Sequence, residues 1–149
     1  LMGTRSYKKW GAYSQSKLAN LLFAYELQRR LSAAGAPTIS VAAHPGYAAT
    51  NLQSVGPKQE GNRLAGFVMS LGNRVLAQSD ANGALPQLYA ATAPEVEGGQ
   101  YFGPSGFQEG RGSPKRVDSR PRSKDTAVAA RLWSVSEELT GVNYDAITT

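Results

Sequence analysis

An α/β fold is predicted by three features of the sequence. A dense apolar pattern over residues 13–31 reads as a long helix. The run "TISVAA" that follows it has the β-branched enrichment of a short buried strand and closes on the turn His44-Pro45-Gly46. Helix and strand patterns then alternate again as far as "ARLWSVSEELTGV" near the end of the chain.

Residues 1–11 show no period and are expected to form a loop. From Tyr13 to about Leu31, Leu18, Leu21, Leu22, Phe23, Tyr25, Leu27 and Leu31 cover more than one stripe, and Gly35 and Pro37 stop the helix. A helix with so broad an apolar surface is expected to pack on a sheet with one side and on a neighbour with the other. A second copy of the chain is one candidate neighbour, which would make a homo-oligomer. "TISVAA" is expected as a parallel strand. Ligands of open parallel sheets bind beyond the carboxyl ends of the strands, so a cleft is expected at Pro45 and Gly46, unless they form an ordinary turn. His44 reads as a packing residue and is given no catalytic role.

Residues 52–78 read as a loop leading into an amphipathic helix marked by Leu64, Phe67, Val68, Leu71, Val75 and Leu76. A second helix is expected from about Ala81 to Ala91, capped by Ser79 or Asp80 and disturbed in its first turns by Pro86. "GGQYFGP" is expected as a short strand. Val128, Leu132, Val135 and Leu139 mark the face of a last helix that starts behind Ser123 or Asp125 and is closed by Gly141. That helix is read as structural.

A length of 149 residues with 41% hydrophobic content fits one domain. Zero cysteines exclude disulfides and thiolate metal sites, and a single histidine leaves no cluster for zinc, so no metal is expected. "LMGTRSYKKW" is polar and "LANLLFAYEL" is short and interrupted, so neither a signal peptide nor a membrane span is expected, and the compartment is read as cytoplasmic. Much of the formal charge of +5 is gathered in residues 111–124, where Arg111, Lys115, Arg116, Arg120, Arg122 and Lys124 stand against little acid. Gly, Ser and Pro separate these charges, with no aromatic residue for base stacking and no helical face, so the run is read as a solvated loop and no nucleic-acid partner is expected.

Tyr13 and Lys17 stand one helical turn apart, which puts a phenol and an ammonium on one face. A neighbouring cation favours the ionised phenol and suits it to proton transfer. The same spacing also describes a packed ring beside a solvated stem. The surrounding words decide between them: "AYSQSKLANLLF" resembles the active-site helix of the short-chain dehydrogenases/reductases, with Tyr13, Lys17, Ala19 and Asn20 in the family's pattern. "ISVAAHPGYAATNL" resembles the same family's sixth strand and the Pro-Gly turn that borders the nicotinamide, with Thr50 where a cofactor-contacting threonine is usual. "GALPQLYAATAPEVEGGQYFGPSG" and "ARLWSVSEELTGV" resemble the last helix, last strand and terminal helix of the branch that is similar to retinol dehydrogenases and WW-domain oxidoreductases.

The resemblance implies that residues 1–149 form the C-terminal portion of a doubly wound Rossmann-type parallel sheet. No G-x-x-x-G-x-G occurs among the 16 glycines, so the coding sequence is expected to continue upstream of Leu1 by roughly a hundred residues or more, with a Gly-rich turn and a Ser-ending strand. The chain alone is then expected to be poorly stable or self-associating. The implied activity is hydride transfer between NAD or NADP and a carbonyl or secondary alcohol. Tyr13 would move the proton, Lys17 would stabilise the phenolate and hold the nicotinamide ribose, and Pro45, Gly46 and Thr50 would border the cofactor. Ser6 is a poor substitute for the family's catalytic serine, and Asn20 is not its proton-relay asparagine. The family covers its substrate with the segment matching 52–78, whose apolar side could line a pocket for a small lipophilic substrate or serve as core. Two other readings stand beside this one: a non-catalytic fragment or dimerisation module built on the fold, and an inactive relative that keeps the Tyr-Lys pair for structure.

Overall fold

The computed structural model describes residues 7–46 and 79–144, and these divide into two compact units. The expected amphipathic helix within 52–78 and the position of Thr50 lie outside the described residues.

The first unit comprises the chain up to Ala42, residues 97–100 and the chain from Asp118 onward. Its long helix α1 (Lys9–Ala33) begins earlier than the apolar pattern implied, so residues 9–11 are helical and not loop. The Ala12 amide donates to the Lys8 carbonyl at 2.9 Å to close the first turn. Lys8 offers no capping side chain and the first turn holds no acid, so the usual start signals are missing from the sequence. At the other end Gly35 takes the left-handed conformation (φ 63°) as expected of a residue that ends a helix.

The last helix, α3 (Thr126–Thr140), packs against α1. Asp125 caps it by accepting from the Val128 amide at 3.0 Å, and Gly141 closes it at φ 68°. Its buried face differs from the predicted one. Ala129 and Trp133 are buried, whereas Val128 is 49% and Leu139 66% exposed. The two sets share the helical period but are offset by one residue, about 100° around the axis. Size decides between them: Ala129 lets α1 come close, and the Trp133 ring stacks on Phe23 with centroids 5.2 Å apart and planes at 10°.

The basic run also departs from the expected loop. Residues 114–117 form a strand, described below, and Pro121–Lys124 form a single 3₁₀ turn. Its charged side chains are exposed, but Ser119 and Ser123 are buried. The Ser123 hydroxyl lies 2.7 Å from both Ser119 Oγ and the Arg120 carbonyl, and the Tyr25 hydroxyl on α1 donates to Ser119 Oγ at 2.9 Å. Small serines thus fold the segment down while its cations stay in water.

The second unit comprises residues 43–96 and 101–117. Here the helix α2 (Asp80–Thr92) is capped by Ser79, which accepts from the Asn82 amide at 3.2 Å. Pro86 sits inside it and is fully buried. Strand β2 (Tyr101–Pro104) carries Phe102, whose ring meets Tyr89 of α2 at 5.4 Å. Strand β3 (Pro114–Val117) runs antiparallel to β2, pairing Tyr101 with Val117 and Pro104 with Pro114.

Only Ala42–Ala43 of the expected strand "TISVAA" form strand β1, and the sheet order is β1-β2-β3. The Ala42 amide donates to the Gln100 carbonyl and the His44 amide to the Phe102 carbonyl. Donor and acceptor advance together, as they do between parallel strands. Residues before Ala42 are drawn off the sheet: the Ser40 amide donates to Gln28 Oε1 at 2.7 Å and its hydroxyl to the Ala24 carbonyl at 2.9 Å, both on α1. The structure is therefore α/β with a small mixed sheet that keeps the parallel pair. No helix among the described residues is long and apolar enough to cross a membrane.

Trp133→Ala is expected to lower the stability of the first unit by about 3–5 kcal/mol and Asp125→Ala by about 1 kcal/mol, read from urea denaturation. Val128→Ala should change it by less than about 0.5 kcal/mol, despite its place in the predicted apolar set.

A second expectation concerns the end of α2, where the Tyr89 hydroxyl donates to the Glu95 carboxylate. This hydrogen bond, helped by one from the backbone, holds Glu95 below its ordinary range, and the same bond together with burial and the carboxylate charge raises Tyr89 above 10.0. The Glu95 contribution is complete above its ordinary range and fades as pH falls through its lowered value. The Tyr89 contribution is complete below 10.0 and fades as pH rises through its raised value. The protection factor of the Ala93 amide, which donates to the Tyr89 carbonyl, should therefore be greatest between these limits and lose both limbs in Tyr89→Phe.

Candidate active site

Tyr13 and Lys17 are brought together on the first half of α1. The Lys17 ammonium lies over the Tyr13 ring, 5.4 Å from its centroid, and Trp10 meets that ring edge-on at 6.3 Å. The helix supplies this arrangement directly, since residues three and four apart share a face. Tyr13 is 47% exposed and Lys17 is exposed too. This part of the helix is held by its own backbone, with the Ser16 hydroxyl donating back to the Tyr13 carbonyl at 2.8 Å. A phenol and an ammonium side by side and open to solvent can exchange a proton with a bound ligand and offer a cation to its hydroxyl groups.

Pro45 and Gly46 belong to the second unit, in the turn that follows β1. Gly46 has φ 70°, and a Cβ there would lie 2.5 Å from the Gly110 carbonyl oxygen, 2.7 Å from that of Glu109 and 2.7 Å from Pro104 Cγ. No side chain fits. The Gly46 amide donates to His44 Nδ1 at 3.2 Å, so Nδ1 carries the lone pair and Nε2 the proton, which points to Glu109 Oε2 3.0 Å away. Gly103 on β2 makes room for this imidazole, because a Cβ there would come within 2.1 Å of Nε2.

Glu109 is the residue in this cluster that the sequence did not reveal. It stands far from His44 in the chain, inside a short turn over Phe107–Glu109. Gln108 and Glu109 are both left-handed, with φ of 50° and 54°. For residues with a Cβ this costs about 1–2 kcal/mol each. Nothing in "GFQEG" announces either the conformation or the partner. His44, read as a packing residue, does make contacts of that kind, with Tyr101 at 5.2 Å between ring centroids.

No protein-family model matches the chain. It is 36% identical over 144 residues to human retinol dehydrogenase 14, covering 95% of this chain and 39% of that protein. It is 37% identical to mouse polyprenol dehydrogenase, with 95% of this chain and 38% of the relative covered. Among solved structures, an uncharacterised protein from Mycobacterium paratuberculosis is 41% identical with a TM-score of 0.67 over 95% of this chain and 42% of its own. Over nearly its whole length the chain is similar to retinol and polyprenol dehydrogenases, and over 84% of it to a short-chain dehydrogenase/reductase from Macrophomina phaseolina, at 34% identity. It spans about two fifths of the length of the retinol and polyprenol dehydrogenases it matches.

The crowding at Gly46 gives a direct test. Gly46→Ala is expected to cost the left-handed penalty of about 1–2 kcal/mol plus the displacement of three neighbouring groups. Gly35→Ala, also at positive φ but with nothing within 4 Å of its Cβ, should cost the backbone part alone. Chemical denaturation of the two variants side by side measures the difference.

Proposed function

We propose that this chain carries the proton-transfer helix of a nicotinamide-dependent oxidoreductase that interconverts an apolar alcohol and its carbonyl compound. The observation that carries this reading is the exposed Tyr13–Lys17 pair on one turn of α1 in a chain homologous to dehydrogenases. Relatives named for retinol and polyprenol favour an isoprenoid alcohol as substrate.

NAD or NADP fits the residues present. Tyr13 and Lys17 offer a hydroxyl and an ammonium that are open to a ligand, and the Pro45–Gly46 turn follows the end of a parallel strand, where ligands of such sheets bind. The chemistry a bound nicotinamide would supply is that of hydride acceptor for the alcohol carbon or hydride donor for the carbonyl carbon. Tyr13 takes the hydroxyl proton of the alcohol in oxidation and gives it to the carbonyl oxygen in reduction. Lys17 would stabilise the phenolate that remains when the proton has left and would help hold the cofactor through its ribose. Pro45 and Gly46, with Thr50 assigned by the family resemblance, border the nicotinamide.

In the full-length enzyme Tyr13→Phe should lower kcat by about 10²- to 10⁴-fold with the melting temperature unchanged, since the exposed hydroxyl contributes little packing. Lys17→Met should lower kcat and raise the KM for the cofactor together. Steady-state kinetics with retinol- and polyprenol-type alcohols decide it, and wild-type turnover in Tyr13→Phe would remove Tyr13 from the mechanism.

A second reading, an interaction surface for another copy of the chain, is favoured by Tyr7 and Trp10, which are 76% and 80% exposed at the start of α1. Sedimentation equilibrium separates the two, because self-association abolished by Trp10→Ala supports this reading, and a monomer at all concentrations removes it.

A further inference from the structure

Resting on the cofactor reading above, we infer that His44 and Glu109 are positioning residues: together they clamp the Pro45–Gly46 turn in the conformation in which it can border the nicotinamide.

Three independent features converge on this clamp. The imidazole is held at both nitrogens, by the Gly46 amide on Nδ1 and by the Glu109 carboxylate on Nε2. Its only lone pair is turned inward to the turn, so the ring is committed to holding backbone in place and is not available as a base. Second, the space for it is built from glycines. Gly103 leaves the volume that Nε2 occupies, and Gly46 lets the turn close onto the carbonyl oxygens of Glu109 and Gly110.

Third, the side chain that completes the clamp sits on strained backbone. Gln108 and Glu109 are left-handed although neither is glycine, in a segment that uses glycine freely at 106, 110 and 112. Strain of this kind persists only where the surroundings over-determine it, and it gathers at functional sites. Stability does not account for keeping a glutamate there. The His44 and Glu109 side chains are 25% and 38% exposed, and a hydrogen bond so open to water contributes little to folding. Holding a turn that a ligand must meet does account for it, since misplacing binding groups by about an ångström is enough to cost roughly a hundredfold.

The pair's position also separates this role from general packing. A residue that merely filled space could be replaced by another of its size. Here a hydrogen-bond acceptor must stand opposite Nε2, and the residue bearing it must also accept positive φ.

The test uses the full-length enzyme and four variants: His44→Ala, His44→Phe, Glu109→Gly and Glu109→Gln. Glu109→Gly removes the carboxylate and relaxes the backbone, so its melting temperature should equal or exceed that of the wild type while the KM for NAD(H) or NADP(H) rises roughly ten- to a hundredfold and kcat changes less. Glu109→Gln, which keeps an acceptor for Nε2–H, should hold cofactor KM within a few-fold of wild type. His44→Phe, which keeps the ring but no acceptor for the Gly46 amide, should behave like His44→Ala. Cofactor KM unchanged in both Glu109→Gly and His44→Ala would overturn the inference. The clamp itself is read separately by NMR in the same proteins: wild-type His44 protonated at Nε2, with the Gly46 amide resonance displaced in His44→Ala, supports it, and an unmoved Gly46 amide overturns it. If the wild-type enzyme binds neither cofactor, the proposed activity falls on its own, and the NMR result still decides whether the clamp exists.

Discussion

The first unit depends on a single ring. Trp133 lies between Phe23 and the Arg30 guanidinium, which stands 4.5 Å from the indole centroid, and its own N–H donates to Glu137 at 2.7 Å. Both flanking groups belong to α1, so this one side chain fixes the helix along its second half. Arg30 in turn pairs with the buried Glu26 at 2.8 Å, and Arg29 meets the same carboxylate at 2.6 Å. A buried carboxylate is tolerated because two cations share it, and removing both would leave its charge stranded in the interior. The second half of α1 is therefore anchored by packing and ion pairs, while the first half presents Tyr13 and Lys17 to solvent.

The second unit answers a different constraint, close approach of backbone to backbone. Gly46 and Gly103 each stand where any Cβ would overlap a neighbour. Their lack of a side chain lets an imidazole and two turns occupy one small volume. Function, on the proposed reading, is thus divided between a helix that exposes its reactive groups and a turn that is held from behind.

The helices were legible in the sequence because their signals are local. Ser79, Asp125, Gly35 and Gly141 act within one turn of where they stand, and each is found at the end it marks. The family was legible for a similar reason, since the Tyr13–Lys17 spacing and the His44-Pro45-Gly46 turn are short words. What failed to show was everything settled by distant partners. "TISVAA" has strand composition, but Gln28 and Ala24 on α1 take the Ser40 hydrogen bonds and leave only two residues to the sheet. Pro114–Val117 looks like solvated loop until β2 supplies a register for it. The face of α3 was misread because apolar periodicity counts Val and Leu but not the advantage of a small alanine beside a large indole. Glu109 is invisible for the strongest reason, since its role depends on a histidine in another part of the chain.

The two tryptophans of the sequence occupy opposite extremes of environment, one 80% exposed at Trp10 and the other 2% exposed at Trp133. Intrinsic fluorescence of this protein is therefore a two-channel signal. An aqueous quencher such as iodide reaches the indole beside Tyr13 and leaves the core indole untouched. Light emitted after quenching reports the integrity of the helix pair, and the fraction removed reports what covers Tyr13 and Lys17, so folding and ligand occupancy can be followed separately in one unlabelled sample.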